Sequence, residues 1–396
     1  GAAPPPSLVA EVRMDGLLQG DELRLCEGGE PFAAGAFCIQ PALSTCLVRG
    51  RHGQLAVVNY QDPARPSVRN LNIHRLGRTW RERHLPSPRA GGREGLPSVT
   101  QIVLINEHTH QQRDPHHRPL CCATDDGAVL LCRCWGCDGH DPAVVCGFQA
   151  LPKRQNAALC IHWLQHRAQL VAAGRDPDIR IWDLRREQLL QAFKHNSMHY
   201  VTCVMQRTGQ EAAAAGGTVL IGCGDGSLLV ADPRTRAGVV QSHRTQLESV
   251  VSINPSVELA GAAGGQGTHL VASSDAHGTV DLWDPRVPQS YACYQLGVST
   301  AREGRPHKPL ERHPVLCHAS PDYSLVAAVR LLPSAPRVLT LTDLASGEQR
   351  FALPLRKDGR PVAIGYHPAQ RTIGVLAQTG DGHRLSLYDN CVRREE

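Results

Sequence analysis

The polar and apolar positions of this chain repeat. From Cys121 the sequence reads CCATDDGAVLLCRCW, and related stretches follow at Leu170–Gln188 (LVAAGRDPDIRIWDLRREQ), Val219–Arg236 (VLIGCGDGSLLVADPRTR) and Leu270–Gln289 (LVASSDAHGTVDLWDPRVPQ). Each is an apolar run, a polar turn rich in Gly and Asp, and a second apolar run, most of them closing on Trp-Asp or Asp-Pro-Arg. Two short strands joined by a tight turn produce this pattern, because Gly and Asp tolerate the positive φ that hairpins need. Central turns fall at Gly53, Gly127, Asp178, Gly226, Gly278, Pro336 and Gly382, with spacings of 74, 51, 48, 52, 58 and 46 residues. Ahead of the turns lie apolar or alternating strands, including Ser98–Ile105, Ala158–Leu164, Tyr200–Met205 and Pro361–Pro368. The sixth repeat reads VLCHASPDYSLVAAVRLLPSAPRVLTLTDLASGE, with SAPR as its turn.

Repeats of this kind are the blades of a β-propeller. The predicted fold class is all-β, a seven-bladed WD-repeat propeller. All spacings exceed the WD-type period of about 40–45 residues, so the blades carry extended loops. The longest gap holds an Arg-rich loop at 72–95, which has no apolar periodicity and ends in Pro and Gly. A second irregular stretch runs from Val298 to Pro314. The last repeat ends at LSLYDN and lacks room for a fourth strand. Ser7–Met14 or Asp21–Glu27 can supply it, which closes the ring and removes exposed strand edges. The expected division is therefore an amino-terminal segment, 1–30, that supplies the closing strand, and a propeller over 31–396. The opening GAAPPPSL, without Met, reads as a cut inside a longer protein of which this is the carboxy-terminal part.

Composition narrows the function classes. The net charge of +5 over 396 residues is too small to argue for nucleic-acid binding. The charge is uneven, with eight Arg against three acidic residues between Gln61 and Thr100. No stretch has the apolar length of a membrane span, and the start lacks the apolar core of a signal peptide. The fifteen Cys are odd in number, and many sit in apolar strands (Cys121, Cys122, Cys132, Cys160, Cys223). That usage fits a reducing compartment, and a cytoplasmic location is expected.

No catalytic, cofactor or metal residues are expected. The cluster Cys132, Cys134, Cys137 and His140, with Cys146 nearby, lacks the paired two-residue gaps of structural zinc sites. His162, His318 and His367 lie in or just after leading strands, where a structural role is favoured. GGQGTHL at Gly264–Leu270 has no P-loop Lys and precedes a strand. No nucleophile-and-base or acid-and-base pairing is apparent. Candidate partner-binding residues are Arg78, Trp80 and Arg81 in the Arg-rich loop, and Arg185, Arg234 and Arg286 in the Asp-x-Arg endings.

In their order and spacing the blades resemble the carboxy-terminal WD-repeat domain of the Raptor family, the scaffold subunits of TOR complex 1. The resemblance rests on ATDDGAVLLCRCW, RDPDIRIWDLRREQLLQ, the Gly-Cys-Gly-Asp-Gly turn with its Asp-Pro-Arg ending and downstream His, GTVDLWDPRVPQS, and the terminal PVAIGYHPAQRTIGVLAQ and LSLYDNCVRREE. It spans roughly residues 95–396 and, more weakly, 32–60. The chain departs from the family in its Arg-rich insertion, its long loops and its sixth blade. The resemblance implies a non-catalytic scaffold that meets TOR kinase and the other subunits of TOR complex 1, supports nutrient-responsive control of growth, and is recruited to the lysosome or vacuole surface through partners. The WDxR endings are also similar to those of WD-repeat substrate receptors of cullin-RING ubiquitin ligases, where the Arg contacts the adaptor. That is the alternative reading.

Overall fold

The computed structural model describes residues 7–15, 37–40, 45–49, 54–59, 67–73, 99–105, 120–124, 126–133, 143–153, 157–164, 167–195, 197, 199–207, 217–245, 247–258, 269–284, 290–296, 315–319, 325–330, 337–366, 372–379 and 382–389. Within them the chain forms seven antiparallel four-stranded sheets. Blade one is β2 (Phe37–Gln40), β3 (Thr45–Arg49), β4 (Gln54–Asn59) and β5 (Ser67–Asn72). Blade two is β6 (Val99–Leu104), β7 (Leu120–Thr124), β8 (Ala128–Arg133) and β9 (Ala143–Gln149). Blade three is β10 (Cys160–Leu164), β11 (Gln169–Ala173), β12 (Asp178–Asp183) and β13 (Gln188–Lys194). Blade four is β14 (Val201–Gln206), β15 (Val219–Cys223), β16 (Ser227–Ala231) and β17 (Val239–Arg244). Blade five is β18 (Ser252–Glu258), β19 (His269–Ser274), β20 (Thr279–Trp283) and β21 (Ser290–Gln295). Blade six is β22 (Val315–Ala319), β23 (Leu325–Arg330), β24 (Val338–Asp343) and β25 (Gln349–Pro354). Blade seven takes β26 (Arg360–Tyr366), β27 (Ile373–Gln378) and β28 (Gly382–Asp389) from one end of the chain and β1 (Ser7–Asp15) from the other.

The first strand of each blade lies against the first strand of the next, and β2 lies against β26, so the sheets close into a ring. The antiparallel pairing Ser7↔Asp389 to Asp15↔Gly382 seals blade seven. Burial follows radial position. The second strand β15 (VLIGC) is buried along its whole length, because neighbouring blades cover both of its faces. The outer strand β13 is mostly exposed.

Apolar side chains fill the seams between blades. Leu220 and Leu228 of blade four meet Val271 and Trp283 of blade five. Ile161 and Leu170 of blade three meet Ala123 and Val129 of blade two. Each buried Leu, Ile or Val contributes about 1.5–3 kcal/mol. Cysteine fills the same seams: eight of the ten described thiols are buried, which makes them small core residues. Burial pushes the Cys160 and Cys223 thiols up to about 12.

Polar groups cross the seams where an inner strand carries an extra residue. The register of β6 skips Thr100, whose hydroxyl donates to Leu159 O at 3.3 Å just ahead of blade three. The register of β14 skips Thr202, whose hydroxyl donates to Val250 O ahead of blade five. A bulge re-aims its extra side chain, and here it aims a hydroxyl at the next blade.

The tight turns between second and third strands use Gly127, Gly226 and Gly278, all at positive φ. At Gly226 a Cβ would stand 2.0 Å from Leu247 O, so only glycine fits. Blade three solves the same turn differently. There Asp176 accepts from the Asp178 amide at 3.0 Å, and Asp178 opens β12 instead of sitting at the centre of the turn. Gly53 and Pro336, the expected turns of blades one and six, fall between β3 and β4 and between β23 and β24, outside the described residues.

Candidate protein-interaction face

Successive strands of a blade run antiparallel, so the turns alternate between the two faces of the ring. One face receives the turns between first and second strands and between third and fourth strands. The Asp-x-Arg endings occupy the second kind. An Asp at the end of a third strand caps the backbone amides that follow it. Asp183 Oδ1 accepts from the Arg185 amide at 2.8 Å and the Arg186 amide at 3.2 Å. Asp232 Oδ1 accepts from the Arg234 amide at 2.9 Å. Asp343 Oδ1 accepts from the Ala345 amide at 3.0 Å and the Ser346 amide at 2.9 Å. The motif is first of all a turn lock.

The arginines then diverge. Arg185 is exposed and has no ion pair among the described residues. Arg234 folds back as a fork onto its own cap, with Nε 2.9 Å from Asp232 Oδ1 and Nη2 2.7 Å from Oδ2. Arg185 and Arg234 hold equivalent turns of adjacent blades, so the fold brings them to one face. Arg286, and Arg78, Trp80 and Arg81 of the Arg-rich loop, lie outside the described residues.

The hydrogen bond from Arg234 holds the Asp232 carboxyl below the usual carboxylate range. A carboxylate with a depressed folded pKa contributes stability above its unfolded value, about 4, and loses it as pH falls through the folded pKa. Arg234→Ala is therefore expected to lower the urea midpoint slightly near neutral pH, by an amount that shrinks as the pH falls below the ordinary carboxylate range. A loss that does not shrink with falling pH would show that the guanidinium acts through packing alone.

Aromatic groups tie the outer strands to the next blade. Phe148 of β9 lies against Trp182 of β12, with ring centroids 4.6 Å apart. His243 of β17 stacks on Trp283 of β20 at 4.9 Å with planes 5° apart. Trp283 is fully buried. Its neighbour Asp281, also fully buried, accepts from the Ser290 hydroxyl and lies 4.0 Å from His243 Nε2. Between blades three and four no such Trp is present. Instead Phe193 covers Gly238, where a Cβ would come within 2.2 Å of the ring.

Among the residues weighed for metal binding, Cys132 and Cys146 are buried in blade two, and Cys134, Cys137 and His140 lie outside the described residues. No group of three or more His, Cys, Asp or Glu among the described residues is placed to hold a metal ion. Desolvation pulls His162 of β10 down to about 4, which leaves it neutral. His367 and residues 264–268 lie outside the described residues. No helix among the described residues is long and apolar enough to cross a membrane.

The sequence reading missed a set of exposed apolar residues on the outer strands: Val145, Leu189, Leu190, Val240 and Tyr291. For all but Tyr291 the signal is a doubled apolar pair just after the turn, Val144-Val145, Leu189-Leu190 and Val239-Val240, where alternation would put a polar residue.

No protein-family model matches the chain. Over 162 residues, 39% of its length, it is 26% identical to Regulatory-associated protein of TOR 1 from Arabidopsis thaliana, and the match covers 11% of that protein. The crystal structure of Raptor from Chaetomium thermophilum superposes on the whole chain with a TM-score of 0.67 at 18% identity. The match takes up 30% of the Raptor chain, so the present chain spans less than a third of the proteins it resembles. The fold likeness makes the chain a seven-bladed β-propeller, and the sequence similarity over part of its length points the same way as the resemblance read from the blade motifs.

Proposed function

We propose that this propeller is a non-catalytic scaffold domain of TOR complex 1, acting in the cytoplasm through protein–protein contacts. The ordered resemblance of successive blades to the Raptor propeller carries the reading, and the similarity to a protein named for its association with TOR supports it. A closed ring suits this role. Its core is set by the seams, so its turns can vary without altering the frame. TOR kinase and the other subunits of the complex are the proposed partners, nutrient-responsive growth control is the proposed process, and recruitment to the lysosome or vacuole surface runs through those partners.

Affinity purification of the full-length protein that contains this chain tests the reading. The expected result is co-purification of a TOR kinase. A second reading, a substrate receptor of a cullin-RING ubiquitin ligase, draws on the exposure of Arg185 at a WDxR turn. Recovery of a cullin adaptor without TOR kinase, lost on Arg185→Ala, would establish that reading instead.

A further inference from the structure

The outer strands of blades two to six share one irregularity. In β9 the register passes from Leu131↔Cys146 to Cys132↔Val144 and skips Val145. In β13 it skips Leu190, in β17 Val240, in β21 Tyr291 and in β25 Arg350. A bulge near the start of an outer strand twists the edge away and discourages strand addition. Blade six places a charged residue there, as edge protection favours. Blades two to five place Val145, Leu190, Val240 and Tyr291, exposed by 48%, 46%, 51% and 61%. Such exposed side chains add little to the core. A single one would be ordinary, but the same register position in four consecutive blades makes a row.

The row is best defined between blades three and four. The Gln191 side-chain amide donates to Thr235 O at 3.0 Å, and Phe193 covers Gly238, so the edge of β13 abuts the next turn without a gap. Leu189, Leu190 and Val240 form the apolar part. Arg185, Arg186 and Arg236 border it and are exposed. Two of the three nearby carboxylates are engaged, since Asp183 and Asp232 cap turns, while Glu187 is exposed on the side of Cys146 in blade two. Arg185 and Arg236 have no ion pair among the described residues. The outward charge beside the apolar residues is thus basic.

We propose that this edge of blades three and four docks a partner protein segment in which acidic and aliphatic side chains are interspersed. Carboxylates pair with the guanidinium forks, and aliphatic groups cover Leu189, Leu190 and Val240. The row follows a convex rim, so a flat bilayer meets one blade at a time, whereas an extended segment of about 16 residues, roughly 50 Å long, follows both. The inference rests on the scaffold reading in treating the ring as a binding module, and it names the chemistry of one partner.

The test is selection of a random peptide display library, about 16 residues per peptide, on the 396-residue chain. Selected sequences should be rich in Asp or Glu together with Leu, Ile or Val. A synthetic peptide of the selected consensus should lose at least about tenfold in affinity for Leu190→Asp/Val240→Asp and, separately, for Arg185→Glu/Arg236→Glu. Both variants should keep the wild-type urea midpoint, since all four positions are exposed. Failure to select peptides, selection of basic peptides, or undiminished binding to both variants would overturn the proposal. So would binding to phosphatidylserine vesicles in place of peptides, or self-association of the chain abolished by Val240→Asp. Co-purification of TOR kinase without any peptide selection overturns this surface alone. Selection on the patch with no TOR kinase in the assembly supports the surface and overturns the complex reading alone.

Discussion

Removal of residues 1–15 is expected to turn the chain from a monomer into an aggregate. β1 supplies the fourth strand of blade seven, and without it β28 becomes the outer edge. β28 is not built for that position. Leu385 and Leu387 are buried, as are His383, Arg384 and Ser386, and the strand has the burial of an interior one. Five of the other six outer strands are different: β13 is largely exposed, and it, like β9, β17, β21 and β25, carries a bulge, while β5 of blade one keeps a regular register. A bared β28 would present a regular, bulge-free edge with unpaired backbone groups, the arrangement that templates strand addition. Size-exclusion chromatography reads the result directly. Adding the β1 peptide in trans should recover soluble monomer, as in donor-strand complementation. A truncated chain that elutes as a monomer and unfolds cooperatively would show that three strands suffice to close the ring.

Trp283→Ala is expected to cost about 4 kcal/mol, read as a lowered urea midpoint. Trp283 is among the largest fully buried side chains, and it joins Leu220, Leu228 and Val271 in the seam between blades four and five. It also carries the stacked His243 ring on one face. Its loss leaves a cavity that the rigid blades on either side cannot collapse to fill. Trp182, which holds the matching place in blade three, is only half-buried, so Trp182→Ala should cost clearly less. Trp283→Phe should restore most of the difference by refilling the space. Equal losses at the two positions would mean that the cost lies in the Trp-Asp turn and not in the seam.

The blade order was legible because its signals are local. Gly127, Gly226 and Gly278 stand at positive φ in the turns where the Gly-Asp pattern places them. The leading strands β6 and β10 fall within the apolar stretches read for them, and β14 and β26 overrun theirs by one residue each, at Gln206 and Arg360. In blade three the offset arose because Asp176 and Pro177 make the turn without a left-handed glycine, so the polar run continues into the strand. The surface was less legible. A bulge is a relation between two strands, and Leu189-Leu190 alone looks like any apolar pair. The two Asp-x-Arg turns illustrate the same limit. Spacing is identical at Arg185 and Arg234, yet Arg234 closes onto Asp232 while Arg185 points to solvent. Which course each guanidinium takes depends on neighbours that the motif does not contain.

The way blade seven is sealed also sets how the domain answers to force. Because β1 and β28 are antiparallel, Ser7 lies beside Asp389, so the polypeptide enters and leaves the ring at one point. Tension applied between those two points does not shear the sheet. It draws the strands apart from one end, loading one residue pair at a time from Ser7↔Asp389 toward Asp15↔Gly382. An unzipping geometry of this kind yields at low force, and the first event is the opening of the ring, before any of the six remaining blades is strained.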